Sequence, residues 1–174
     1  MNHSFREALW NQFGAGIDML AHVISNCPDD YFSAGTRFYY LAFHSTLFLD
    51  YYLTFPPADF VPMLAFTQKD QDDRPAESVG DFIPDQIYPK AALLDYLAQS
   101  RLKCAQIIAG LRDDPLDGRF VEGDAPDDMN YSRLEILLYN LRHTQHHTGQ
   151  LYMLVRQDFD RHMEWSFRVG DMAQ

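Results

Sequence analysis

Apolar residues recur along this chain at intervals of three and four, in four segments separated by turn-forming residues, and that spacing predicts helices. The first predicted helix covers Ser4 to Ser25. It places Trp10, Phe13, Ile17, Ala21 and Ile24 on one face, with Ser4 and Glu7 in capping-box positions. The breaker "NCPDDYFSAG" follows. The second helix covers Ala34 to Thr54 and stops before Pro56 and Pro57. The third starts at Pro89, a residue suited to a first helical turn, and continues to Leu111. The fourth covers Ser132 to Gln157, where Ser132 and Glu135 form a second capping box.

Helices of this kind, roughly 30 to 39 Å long at 1.5 Å per residue, predict an all-α fold, a four-helix bundle. The short first connection predicts that helices one and two are antiparallel neighbours. The second connection, Phe55 to Tyr88, holds five of the nine prolines. A connection of that length predicts a long crossover between helices two and three, with its apolar "FVPMLAF" docked over one end of the core. The tail beyond Gln157 is expected to pack Trp165 and Phe167 against the bundle.

The fourth helix breaks its apolar pattern in one place. At 100° per residue, Ile136, Asn140, His143, His147, Gln150 and Leu154 share a stripe about 80° wide, aliphatic at its ends and polar in its centre. Leu137, Leu141 and Leu151 make much of the remaining circumference apolar. A polar band in a buried helix requires partners, because an unsatisfied buried polar group costs about 1–3 kcal/mol. His143 and His147, at i and i+4, present two imidazoles one turn apart, which suits two ligands on one metal ion. In the second helix His44 shares its stripe with Tyr40, Leu41, Phe48 and Tyr51, and sits near the middle of its segment as the pair does in the fourth. His44, His143 and His147 therefore fall at one level and form a candidate metal site. Asn140 and Gln150 are candidates to orient the rings or bind a ligand, with ordinary helix–helix hydrogen bonding as the alternative. His146 lies off the stripe, beside the site or on the surface.

Two metal architectures do not fit. A zincin protease needs Glu directly after its first histidine, where this chain has Thr144. Carboxylate-bridged di-iron bundles need Glu-x-x-His pairs, whereas Asn140 and Thr144 stand three before His143 and His147. Three neutral imidazoles point instead to a single divalent ion with an open position, and Zn, Ni and Fe all suit such ligands.

Composition narrows the partners. The chain has 174 residues, 47% hydrophobic, enough for a sizeable core. Its formal net charge is −11, from 25 Asp and Glu against 14 Lys and Arg, which argues against nucleic acid or an anionic membrane as partner. Much of the acidity is local, in "DDPLDGRFVEGDAPDD" from Asp113 to Asp128, which reads as a solvated loop. No apolar run approaches the roughly 18 residues of a membrane span. The N-terminus has no apolar signal-like region. Cys27 and Cys104 form no CxxC pair and read as buried, reduced thiols in a cytoplasmic protein.

The pairing of "AFHSTLFLDYYL" with "NLRHTQHHTGQL" far downstream resembles the DinB-like superfamily of damage-inducible four-helix-bundle proteins. The resemblance implies one DinB-like domain over residues 1–174, a non-sequential helix crossover, and a divalent metal on His44, His143 and His147. It also implies a homodimer, and activities such as low-molecular-weight-thiol S-transfer or thiol-dependent isomerisation. This chain departs from the common pattern at Thr148, where Arg is frequent before Gly149 and Gln150.

The expectation that follows is a metal-dependent enzyme acting on a small-molecule substrate. Such an ion lowers the pKa of a water or ionises a thiol, so S-transferase-like chemistry and hydrolysis both remain open. The alternative is a non-catalytic metal- or ligand-binding dimeric bundle.

Overall fold

The computed structural model describes residues 3–112 and 118–172. Among them the protein is mostly helical, with five α-helices and two small two-stranded sheets. Helix α1 spans His3–Asn26, α2 Asp29–Ser33, α3 Arg37–Tyr51, α4 Lys90–Ala109 and α5 Arg133–Phe159. Strands β1 (Phe66–Gln68) and β2 (Phe82–Pro84) form one antiparallel hairpin, with Thr67 opposite Ile83. Strands β3 (Arg119–Val121) and β4 (Asn130–Ser132) form the other, with Phe120 opposite Tyr131.

The apolar stripes fold as their spacing predicts. Phe13, Ile17 and Ile24 of α1 are fully buried, and so are Leu137, Leu151 and Val155 of α5. Ser132 caps α5 as read from the sequence, its hydroxyl accepting from the Glu135 backbone N–H at 3.2 Å. Helix α1 already includes His3, so Ser4 lies within its first turn.

Three expectations change. The breaker after α1 contains the short helix α2, and α3 begins only at Arg37 and ends at Tyr51. Beyond that end the chain tightens into i→i+3 bonds, Leu53 N–H to Asp50 C=O and Thr54 N–H to Tyr51 C=O, both 3.0 Å. At 15 residues against 27 for α5, the helices are not of matched length. Next, α1 packs chiefly on α4 and α5, while α3 packs on α5 and α4, so the first two predicted helices are not the main packing partners expected. The extra helix and the left-handed Gly35 (φ 64°) redirect the chain between them. Finally, Trp165 and Phe167 point outward, 63% and 75% exposed. The tail docks through other residues: Val169 N–H donates to Asn11 C=O at 3.0 Å, and a Cβ at Gly14 would overlap the Val169 side chain.

The connection from Phe55 to Tyr88 carries the first hairpin and two single-turn 3-10 helices, Pro57–Asp59 and Gln71–Asp73. Its apolar patch divides. Phe60, Leu64 and Phe66 pack on the core, whereas Val61 and Met63 are exposed. Of the acidic stretch Asp113–Asp128, residues 113–117 lie outside the described residues. The remainder is not merely a solvated loop, because it includes β3, whose Phe120 is fully buried against Tyr51, Tyr52 and Phe55.

Buried charges tie the helices together. Asp50 of α3 accepts from Tyr96 Oη at 2.8 Å and from Lys103 Nζ at 2.6 Å, both on α4. Asp18 of α1 meets Arg101 of α4 at 2.7 Å. Both cysteines are free and buried. Burial pushes the Cys27 thiol up to about 11 and the Cys104 thiol further up still. A disulfide-exchange reagent at pH 8 should therefore release no thiolate promptly from the folded protein and two equivalents after denaturation. Rapid native reaction would show that one of these cysteines is accessible.

Candidate metal centre

Helices α3 and α5 run in opposite directions. Tyr52 lies 5.1 Å from Tyr139 between ring centroids, and His44 lies 4.8 Å from His147. This register brings His44 level with the i,i+4 pair on α5. The Nε2 atoms converge: His44 to His143 is 3.3 Å and His147 to His143 is 3.1 Å. The potential ligand atoms of all three rings fall within 4.8 Å of one another, and the group could hold a metal ion. Two nitrogens each 2.0–2.1 Å from a tetrahedral zinc-like ion stand about 3.3 Å apart, so the spacing fits such an ion.

The proton inventory points the same way. Gln150 Oε1 lies 2.8 Å from His147 Nδ1, so with that oxygen accepting, His147 carries its proton on Nδ1 and turns a lone pair inward on Nε2. His143 Nε2 meets both other Nε2 atoms but holds at most one proton, so hydrogen bonding among the rings satisfies the group only in part. A cation at the centre satisfies all three lone pairs together.

Burial also keeps the rings neutral, as ligands must be. Desolvation, then the charge of His147, holds His44 down to about 3. Desolvation and the neighbouring histidines hold His143 down to about 3. His147 is lowered too, chiefly by burial, with the Gln150 hydrogen bond opposing and the charges of His146 and Arg37 adding.

The surroundings of the rings are aromatic. Phe48 lies 4.6 Å from His44 and 5.7 Å from His143, and Tyr52 lies 5.6 Å from His143. Tyr139 stacks on His143 with planes 17° apart and centroids at 6.2 Å. The connection before α4 closes the far side of His44. A Cβ at Gly80 (φ 71°) would lie 3.4 Å from His44 Nδ1, and the Val79 carbonyl faces the ring and favours its protonated form. Among the described residues, the buried Nδ1 atoms of His44 and His143 make no well-formed hydrogen bond. Arg37 holds this strap, its guanidinium donating to Ser78 C=O at 3.1 Å.

The remaining sequence candidates separate. Gln150 touches His147. Asn140 does not reach the rings: its Nδ2 donates to Leu49 C=O at 2.9 Å, and its Oδ1 accepts from Thr144 Oγ1 at 3.4 Å. Leu49 C=O lies in the last turn of α3, where the chain's i→i+3 bonds bypass it, so Asn140 completes that helix end from α5. His146 is exposed, its ring 5.0 Å from His147, and with Tyr139, Arg142 and His143 it lines a concavity of about 220 Å³. Thr148 turns inward, donating to Thr144 C=O at 2.8 Å. Sequence reasoning missed the Val79–Gly80 strap and Arg37. Arg37 was findable, since seven residues before His44 is the same helix face. The strap carries no periodic signal.

Asn140→Ala should destabilise the protein by about 1–3 kcal/mol in urea unfolding, because it leaves the buried Leu49 carbonyl without its donor. A loss below about 0.5 kcal/mol, the range of ordinary surface changes, would mean that the carbonyl is solvated instead.

No curated protein and no solved structure matches the chain. Among family models, the DinB family matches residues 85–158. That span contains α4, His143 and His147 with all of α5 except Phe159, while His44 reaches the site from outside it. The likeness to the DinB family, first carried by the paired histidine motifs, is thereby shown over residues 85–158.

Proposed function

We propose that His44, His143 and His147 hold one divalent transition metal, Zn, Ni or Fe, and that the protein is a metal-dependent enzyme acting on a small molecule. The observation that carries this reading is the convergence of three Nε2 atoms, 3.1 and 3.3 Å apart, in a group that contains no carboxylate. Three neutral protein ligands are the number that a catalytic rather than a structural site uses, and such an ion supplies Lewis-acid chemistry and acidifies a water or thiol. The chain's own residues do the rest. Gln150 fixes the His147 tautomer, Phe48 and Tyr52 flank the rings with apolar surface, and the concavity beside His143 and His146 gives a small molecule access.

S-transfer with a low-molecular-weight thiol is the reaction that the family likeness favours, with metal-dependent hydrolysis as its competitor. Thr148 supplies no cation beside Gly149 and Gln150, so a charged thiol would need its positive partners elsewhere. A non-catalytic metal-binding bundle is supported less well, because it calls for a fourth side chain on the ion and the group has three. The same reading takes α1, α3, α4 and α5 as a four-helix bundle in which α1 and α3 are not the main packing partners; their pairing with α4 and α5 supports it. It takes the chain as one domain, homodimeric by its likeness, and cytoplasmic by its two unpaired cysteines.

Metal analysis by mass spectrometry on untagged protein should find close to one transition-metal ion per chain, lost in His44→Ala and in His147→Ala. Gln150→Ala should retain the site but bind the metal about 10- to 100-fold more weakly, as losses of a ligand's hydrogen-bond partner do. A chain that takes up none of the three metals under reducing conditions would sink the enzyme reading.

A further inference from the structure

The chain is strongly acidic, yet its histidine site is not. A cation, Arg37, stands beside it and holds the strap through Ser78 C=O. The ligand group itself holds no carboxylate. Three neutral ligands leave a divalent ion its full charge, so the field at the site favours an anion.

The structure also sets a cation at the mouth. Arg142, one residue before His143, lines the concavity of about 220 Å³ together with Tyr139, His143 and His146. Its guanidinium carbon sits 5.4 Å from the centroid of the Tyr139 ring, and that ring stacks on His143. Arginine, tyrosine and metal-ligand candidate thus form one continuous wall. Lys103 and Arg101 are neutralised within the fold, by Asp50 and by Asp18. Among the described residues no carboxylate forms an ion pair with Arg142. Glu135 shares a second concavity with it, of about 300 Å³, without pairing. A guanidinium braced on an aromatic face keeps its planar N–H fork free for an oxyanion.

We propose that the site takes an anionic small molecule, and that Arg142 recognises its carboxylate or phosphate while the adjoining part of the ligand lies along Tyr139 toward His143. The shared chemistry of the two groups is a pair of anionic oxygens spaced to accept two parallel N–H bonds. This inference rests on the metal-centre reading and adds the substrate class to it. Arg142 is exposed on α5, so its replacement leaves the core intact.

The test uses the cobalt-loaded protein, whose visible spectrum reports both the metal and its surroundings. Benzoate, phenyl phosphate and the neutral isostere benzamide are titrated against wild type, Arg142→Gln and Arg142→Lys. At least one anion should bind wild type more tightly than benzamide does, and the better of the two identifies the group. Arg142→Gln should weaken that anion about 5- to 10-fold, the worth of one charge-assisted contact near the surface, and leave benzamide unchanged. Arg142→Lys should recover part of the loss. Equal anion affinity in wild type and Arg142→Gln, with the cobalt spectrum intact in both, overturns the proposal and leaves the metal centre standing. If wild type takes up neither cobalt nor Zn, Ni or Fe, the metal reading fails by itself, and calorimetry on the metal-free protein decides the anion site. Anion binding lost in Arg142→Gln then supports it, and no binding overturns it.

Discussion

A buried helix that carries polar side chains across its middle must find partners for them on its neighbours, and here the contact of α3 with α5 is where that requirement is met. Two different solutions occupy adjacent turns of α5. Asn140 is satisfied by backbone, donating to the Leu49 carbonyl that the tightening end of α3 leaves open. His143 and His147 are not satisfied that way. They meet His44 across the same interface, nitrogen to nitrogen, in a group that could hold a metal ion. The structural hydrogen bond sets the register of the two helices, and the register sets the site.

The chemistry of the site then depends on its insulation. Aromatic rings of α3 and α5 flank the imidazoles, and the strap through Val79 and Gly80 covers His44 from the side that neither helix reaches. Low polarity disfavours protonation of all three rings, so burial is the largest cause that keeps them neutral. The protein's many carboxylates are arranged elsewhere. Asp50 and Asp18 tie α3 and α1 to α4, and the acidic hairpin between α4 and α5 stands over Tyr51, where Glu122 accepts from the tyrosine hydroxyl at 2.7 Å. The negative charge of this acidic protein is thus spent on helix-to-helix ties and solvated turns, and the histidine group itself holds no carboxylate.

The sequence by itself determined the four long helices and the polar stripe on the last, because a 3.6-residue period is a local property that each segment displays alone. It also narrowed the candidate chemistry, since imidazoles at i and i+4 without an adjacent carboxylate exclude two common metal architectures by spacing. The level at which His44 meets its partners was legible for the same reason: mid-helix positions of packed helices coincide. What only the tertiary structure decided depends on contacts between distant segments. The pairing of α1 with α4 and α5 rather than with α3 follows from a short helix and a glycine turn that carry no periodic signal. Asn140 and Gln150 looked alike on the helical wheel, and only the position of the α3 terminus separated a helix cap from a histidine's partner. Trp165 and Phe167 show the converse, since large apolar side chains in a tail do not dictate which face docks when Val169 fits the space that Gly14 leaves.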